Sequence, residues 1–257
     1  MKGEGGRTTL LEFIMSDEIN SKNPIDRGID ASKSSWSFET DKVAINFENH
    51  VKKSVPFYSE AQDLITTMSD FFTSENSIYY DLGCSTGALT RKVNSKNQHK
   101  NIKSIGIDNS KEMIKQAKKN SLNKGCIFKY GDIAEFKFNK ANLITSYYTI
   151  QFIHPSVRAD LIKNIYESLN WGGGFFLFEK TRASDARYQD LITTSYFEYK
   201  QKNGFQNDEI FNKYMSLSGV LEPFSDNGNL QILRAGGFTD IEIIFKYSPF
   251  TGYLAIK

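Results

Sequence analysis

The sequence predicts an α/β protein built on a doubly wound, mostly parallel seven-stranded sheet, with an added helical region after the fifth strand. Three observations predict it. From Ile78 onward, short apolar runs of strand length alternate with stretches of helical periodicity. The run Ile78-Tyr79-Tyr80-Asp81-Leu82-Gly83-Cys84-Ser85-Thr86-Gly87 reads as a strand, a tight two-glycine loop, and then a helix from Ala88. Successive strands end in polar residues at regular intervals, which places one ligand at the carboxyl edge of a parallel sheet.

Each element has its own reason. Val43, Ile45 and Phe47 alternate like a strand, yet Phe47, His50 and Val51 also share a helical face, so both readings stand there. A helix follows Ser54-Val55-Pro56-Phe57-Tyr58, with Ala61, Leu64, Ile65, Met68 and Phe72 on one side. The second strand, Ser104–Asp108, ends in a carboxylate about 25 residues past the first glycine. That separation suits an acceptor for the vicinal hydroxyls of a ribose. Ser110 caps the next helix, whose apolar face is Ile114, Ala117 and Leu122. The third strand, Cys126–Tyr130, leads to Gly131-Asp132-Ile133, and the fourth, Ala141–Tyr148, runs into Thr149-Ile150-Gln151-Phe152. A helix over 157–169 ends in the turn Asn170-Trp171-Gly172-Gly173-Gly174. Phe175–Glu179 reads as a strand buried on both faces. Helices are predicted over 185–203, 208–221 and 230–238, and strands over 241–247 and 253–256.

Composition bounds the function. In 257 residues, 39% are hydrophobic and 24% charged, enough for a core and an ordinary surface. Lys and Arg total 32 against 30 Asp and Glu, and no dense basic stripe appears, so direct nucleic-acid binding is not expected. No apolar run has the length to span a bilayer, and the chain reads as cytoplasmic. Residues 1–35 are polar and without periodicity, a flexible segment ahead of a domain over 36–257, with Trp36-Ser37-Phe38 beginning the folded part; Met15 reads as an alternative start. Cys84 and Cys126 are too far apart in sequence for a metal-ligand pattern and are expected as free buried thiols, with no metal site.

The loop itself lacks a third glycine and a Gly-Lys-Ser/Thr ending, which argues against a dinucleotide fingerprint and a phosphate loop. Asp81-x-Gly83-x-x-x-Gly87 instead resembles the first motif of class I S-adenosylmethionine (SAM) methyltransferases. That resemblance implies that Asp132 and Ile133 take the adenine amino group and cover the ring, and that the last two strands form an antiparallel hairpin. It narrows further. Ser54-Val55-Pro56-x-Tyr58, the glycine loop, Gly106-Ile107-Asp108-Asn109-Ser110, Gly131-Asp132-Ile133, Gln151-Phe152, Glu179-Lys180 and Tyr199-Lys200-x-x-Asn203-Gly204-Phe205 resemble the carboxy-SAM synthase family. That family uses prephenate to convert SAM into carboxy-SAM for tRNA wobble-uridine modification, and forms homodimers through the region after the fifth strand.

The resemblance implies a SAM pocket lined by Tyr58, Gly83, Asp108, Asn109, Asp132 and Ile133; Asp81, Cys84 (through its backbone), Gly87 and Tyr147 complete the expected cofactor set. Two departures bear on the ligand. The family places an arginine in a Lys-Arg-Ser/Thr segment to clamp the added carboxylate, where this chain reads Lys213-Tyr214-Met215. An asparagine of the family is replaced here by Tyr147. A phenol cannot replace a bidentate guanidinium. The main expectation is therefore a methyltransferase using SAM itself on a small-molecule acceptor. Carboxy-SAM synthase activity, with Lys213 or Arg182 compensating, and a non-catalytic SAM-binding protein are the alternatives. Expected catalytic residues are His154 as base, which otherwise leads a helix before Pro155, together with Tyr147 and Glu179. Tyr148, Arg182, Tyr199, Lys213 and Tyr214 are the expected substrate contacts. The region 182–228 is read as a helical lid or a dimerisation insertion, with its aromatics serving one or the other.

Overall fold

The computed structural model describes residues 41–121 and 125–257, so the expectations for residues 1–35, for Met15, for Trp36–Phe38 and for Leu122 lie outside the described residues. Two helices come first, α1 (Asp41–Ser54) and α2 (Tyr58–Met68), so the ambiguous stretch near Phe47 is helical. The sheet and its crossovers follow: β1 (Ile78–Leu82), α3 (Ala88–Lys96), β2 (Lys103–Asp108), α4 (Lys111–Lys119), β3 (Cys126–Tyr130), β4 (Ala141–Tyr147), α5 (Pro155–Ser168) and β5 (Leu169–Lys180). Beyond β5 stand α6 (Ala186–Lys202), α7 (Asn207–Leu217) and α8 (Asp226–Ala235), then β6 (Asp240–Tyr247) and β7 (Phe250–Ile256). The strand order is β3-β2-β1-β4-β5-β7-β6, with β7 inserted antiparallel between β5 and β6.

Strand periodicity sorts the core into two layers. Along β1, Tyr80 and Leu82 face one side while Tyr79 faces the other; along β5, Phe175 and Leu177 part from Phe176 and Phe178 in the same way. The first layer packs on Leu161, Ile162, Ile165 and Phe238, and the second on Ile65, Leu89 and Val93. Each such fully buried side chain contributes about 1.5–3 kcal/mol.

Several boundaries differ from the expectation, for local reasons. Helix α5 begins at Pro155, because His154 caps it, and stops at Ser168. The run Asn170–Gly174 is no helix cap: β5 already begins at Leu169 and passes through it. Gly172 sits at φ 76, and its amide donates to the Lys257 carbonyl at 2.7 Å, so glycine here makes an irregularity within a strand. Helix α7 ends four residues early, ahead of Gly219 at φ 75. Helix α8 starts at Asp226, capped by the Ser225 hydroxyl, which accepts from the Gly228 amide.

Candidate functional site

The carboxyl ends of β1, β2 and β4 open onto a cavity of about 1330 Å³ that continues up to α6 and α7. Its near end is built largely by backbone. Gly83 lies at φ 70, in the left-handed region, and donates to the Ile107 carbonyl at 2.8 Å; a Cβ there would overlap the Thr149 side chain. Asp108 is buried at the end of β2, where its two oxygens accept from the Ser85 amide at 2.8 Å and the Ser110 amide at 2.9 Å. Burial raises its pKa, against the pull of those two amides. Asp81 accepts from the Thr90 hydroxyl at 2.6 Å and from Thr145 at 3.0 Å, so it ties β1 to α3 and β4; burial pushes its pKa up to about 6. Cys84 lines the cavity, but its thiol is buried and its pKa raised, which leaves it inert. Asn109, Asp132 and Ile133 complete this end, with the Asp132 carboxylate accepting from the Ala134 amide at 2.9 Å.

The middle of the cavity is aromatic. The Tyr147 hydroxyl donates to the Tyr58 carbonyl at 2.6 Å, and the rings of Tyr58, Tyr147 and Tyr148 lie within 4.7–6.4 Å of one another. Tyr148 holds a left-handed φ of 60 as the chain leaves β4. Gln151 fixes that turn: its side-chain amide donates to the Tyr148 carbonyl at 3.2 Å, and its side-chain oxygen accepts from the Lys180 amide at 2.8 Å. Behind it the buried Arg158 guanidinium donates to the carbonyls of Ile153, Glu222 and Gln151 at 2.7, 2.8 and 3.1 Å, fastening the segment after α7 to the turn after β4.

The far end is basic. Lys180, Arg182, Lys200 and Lys213 line it, against Asp190 and Glu198. Lys180 lies over the Tyr196 ring at 4.7 Å, and Lys200 over Tyr196 at 5.0 Å and Phe205 at 5.7 Å. Tyr214, 51% exposed, stands on α7 at the cavity margin.

Four expected residues are not brought into the cavity. His154 is exposed and spends its Nδ1 on Ser156, 2.8 Å away, as the cap of α5; the catalytic-base reading is corrected to a cap. Glu179 is 3% exposed behind the wall, where its carboxyl faces the amides of Thr149, Ile150 and Gln151 and its Oε1 has no hydrogen-bond partner among the described residues; burial raises its pKa to about 8. Gly87, at φ 78, caps α3 against Phe128. Tyr199 stacks on Tyr196 from outside. Sequence reasoning passed over Lys180, Gln151 and Arg158. The pair Glu179-Lys180 at a strand end was the available signal for the first; nothing local marks Arg158.

These features fit SAM: one cavity joins paired carboxylates at the ends of β1 and β2, a rim with Asp132 and Ile133, and aromatic faces further in. Among the described residues, no helix is long and apolar enough to cross a membrane. The fold and this edge define the class I SAM-dependent methyltransferase type. The Methyltransferase domain family matches residues 80–173. Human N-acetylserotonin methyltransferase in complex with SAM superposes with a TM-score of 0.60 at 20% identity, covering 86% of this chain and 57% of that one. A putative SAM-dependent methyltransferase from Methanococcus maripaludis gives a TM-score of 0.57 at 21% identity, covering 88% and 96%.

Longer-range similarity is more specific. The chain is 37% identical to the carboxy-S-adenosyl-L-methionine synthase of Staphylococcus epidermidis, over 86% of this chain and 97% of that protein. It is 33% identical to the carboxy-S-adenosyl-L-methionine synthase of Sulfurimonas denitrificans, over 95% and 100%. The chain belongs to the carboxy-SAM synthase family and is a SAM-using transferase.

Proposed function

We propose that the protein acts on SAM together with a carboxylate-bearing second substrate, as a carboxy-SAM synthase. The observation that carries this reading is the charge of the far end: four cations, Lys180, Arg182, Lys200 and Lys213, face two carboxylates, Asp190 and Glu198. The names of the full-length relatives support it. Bound SAM supplies a methyl carbon activated by its sulfonium. Asp108 and Asp132 are proposed to hold the nucleoside, and the rings of Tyr58, Tyr147 and Tyr148 to shield the reacting end from water and offer π faces to a cation. The basic end would then hold a prephenate-like acid. Incubation with SAM and prephenate should yield carboxy-SAM by mass spectrometry; unchanged SAM would overturn this reading.

A second reading, methyl transfer from SAM to a small-molecule acceptor, is favoured by one observation. The position at which the family resemblance implies a carboxylate-clamping arginine is Tyr214, and Tyr147 commits its hydroxyl to Tyr58. Mass spectrometry of the nucleoside that co-purifies with the protein separates the two, since carboxy-SAM supports the synthase and SAM or its demethylated product supports methyl transfer. We also propose a homodimer through α6 and α7, where Tyr188, Leu191, Phe211 and Met215 are exposed, with light scattering as the check.

A further inference from the structure

Helix α1 lies across the cavity from its near end to its far end. Phe47, Glu48, His50, Val51 and Ser54 line the cavity, and their spacing puts them on one face of the helix. From Glu48 to Ser54 that face runs about 9 Å, at a rise of about 1.5 Å per residue. Its two ends are fastened to different parts of the molecule. At the near end the Glu48 carboxylate accepts from the hydroxyl of Thr86, in the glycine loop, at 2.9 Å, and the Arg91 guanidinium lies 3.7 Å from the same oxygen. Arg91 also donates to the Thr86 carbonyl at 2.7 Å, so the loop, α3 and α1 meet at one point. At the far end the Tyr196 hydroxyl donates to the Ser54 carbonyl at 2.9 Å. There too His50, its Nε2 3.2 Å from the Ser54 hydroxyl, sets its ring edge-on to Phe205 at 5.5 Å. Past α1 the chain turns through Val55-Pro56-Phe57, and Phe57 holds a left-handed φ of 54, uncommon for an aromatic residue. The next residue, Tyr58, is tied to β4 through the Tyr147 hydroxyl, which fixes the start of α2 to the sheet. Motion of α1 therefore has its pivot in this turn, and Glu48 stands further from the pivot than Ser54.

We infer that α1 is a strap over the bound cofactor and that Glu48 is its latch: SAM enters and leaves when the tie from Glu48 to Thr86 breaks and α1 lifts about residues 55–57. The latch consists of protein groups alone, so it slows entry and exit alike. A residue that touched the cofactor would slow its exit only. The inference rests on SAM filling the near end, and it holds for either reading of the reaction.

Rapid-mixing measurements of S-adenosylhomocysteine association and release, with no second substrate present, test it. Thr86→Val removes the hydroxyl at nearly constant volume; it should raise both rates about fivefold and leave Kd within about twofold. Thr86→Ser keeps the donor and should keep both rates at wild-type values. Glu48→Ala should act as Thr86→Val does, and it keeps the test decisive if the buried Thr86 position does not tolerate valine. Faster release at an unchanged association rate would overturn the latch, because Glu48 and Thr86 would then act on the cofactor itself. Unchanged rates in both variants, or a wild type that binds no S-adenosylhomocysteine, would overturn it as well. Hydrogen exchange reads the pivot: amides of α1 should exchange faster in Glu48→Ala while those of α2 stay as in wild type, and equal protection of α1 in the two proteins would overturn the strap.

Discussion

The two ends of the cavity are opposites in charge and in construction. The near end carries Glu48, Asp81, Asp108 and Asp132; the far end carries Lys180, Arg182, Lys200 and Lys213. Near-end groups join strand ends to the turns that follow them, as when Asp108 accepts from the amide of Ser110 two residues on and from that of Ser85 in the first glycine loop. Far-end groups are set by partners from distant segments: Gln151 reaches Lys180, and Arg158 reaches Glu222. The difference teaches that the near end is assembled from strand ends and the turns that follow them, whereas the far end needs segments gathered by tertiary packing.

The largest expected effect breaks the far end. Arg158→Met leaves three carbonyls, one buried and two partly buried, without their charged donor and should cost about 3–5 kcal/mol in urea unfolding. A cost below about 1 kcal/mol would mean that the segment after α7 is not fastened through Arg158. Next comes the near end: Asp108→Ala should lower SAM affinity at least tenfold by calorimetry, since charge-assisted hydrogen bonds are worth about 1.5–3 kcal/mol. Unchanged affinity in a folded variant rejects the ribose role.

A third prediction concerns Glu179, buried behind the cavity wall. Its native pKa of about 8 lies above the unfolded value, so between those values the native state holds a proton that the unfolded chain has released. The stability it contributes is full below about pH 4.3 and is lost as pH rises through about 8. Glu179→Gln cannot ionise, so its melting temperature relative to wild type should rise from pH 5 to pH 9; a constant difference would show that Glu179 ionises normally in the native state. The smallest effect sharpens the comparison. Tyr214→Arg adds a charged fork at the cavity margin and should raise the affinity for carboxy-SAM relative to SAM by a few-fold, about 1 kcal/mol, in competition binding. Wild type that already selects carboxy-SAM strongly would show that Tyr214 costs nothing and that other cations serve as the clamp.

Legibility in the sequence follows the same division. The glycine loop, Asp108 and the Ser110 cap were readable because each is a strand end followed by its own turn chemistry. The alternation of strands and helices made the mostly parallel sheet readable, and the resemblance its antiparallel end. His154 misled because a histidine ahead of Pro155 satisfies a helix cap and a catalytic position equally well in sequence, and the structure chose the cap. Glu179 and Lys180 are neighbours on β5, so they point to opposite faces, and only the sheet reveals which one reaches the cavity. Arg158 lies within an ordinary helical pattern, and its three carbonyl partners come from residues 151–153 and 222. Glycines 172–174 suggested a turn because the strand irregularity they form depends on pairing with the distant Lys257.

Gln151 has a consequence for how such a pocket diversifies. Its neutral amide bridges the gap between the Tyr148 turn and the Lys180 amide, beside the backbone bond from the Tyr148 amide to the Phe178 carbonyl at 2.7 Å. Scaffold and specificity are thereby separable: side chains facing the gap can be exchanged while the gap keeps its width. Shortening this one residue to asparagine would do the opposite, retaining the other lining groups and loosening the side-chain tie between the two walls. Selection for a new acceptor can therefore act on the lining and leave the spacer untouched.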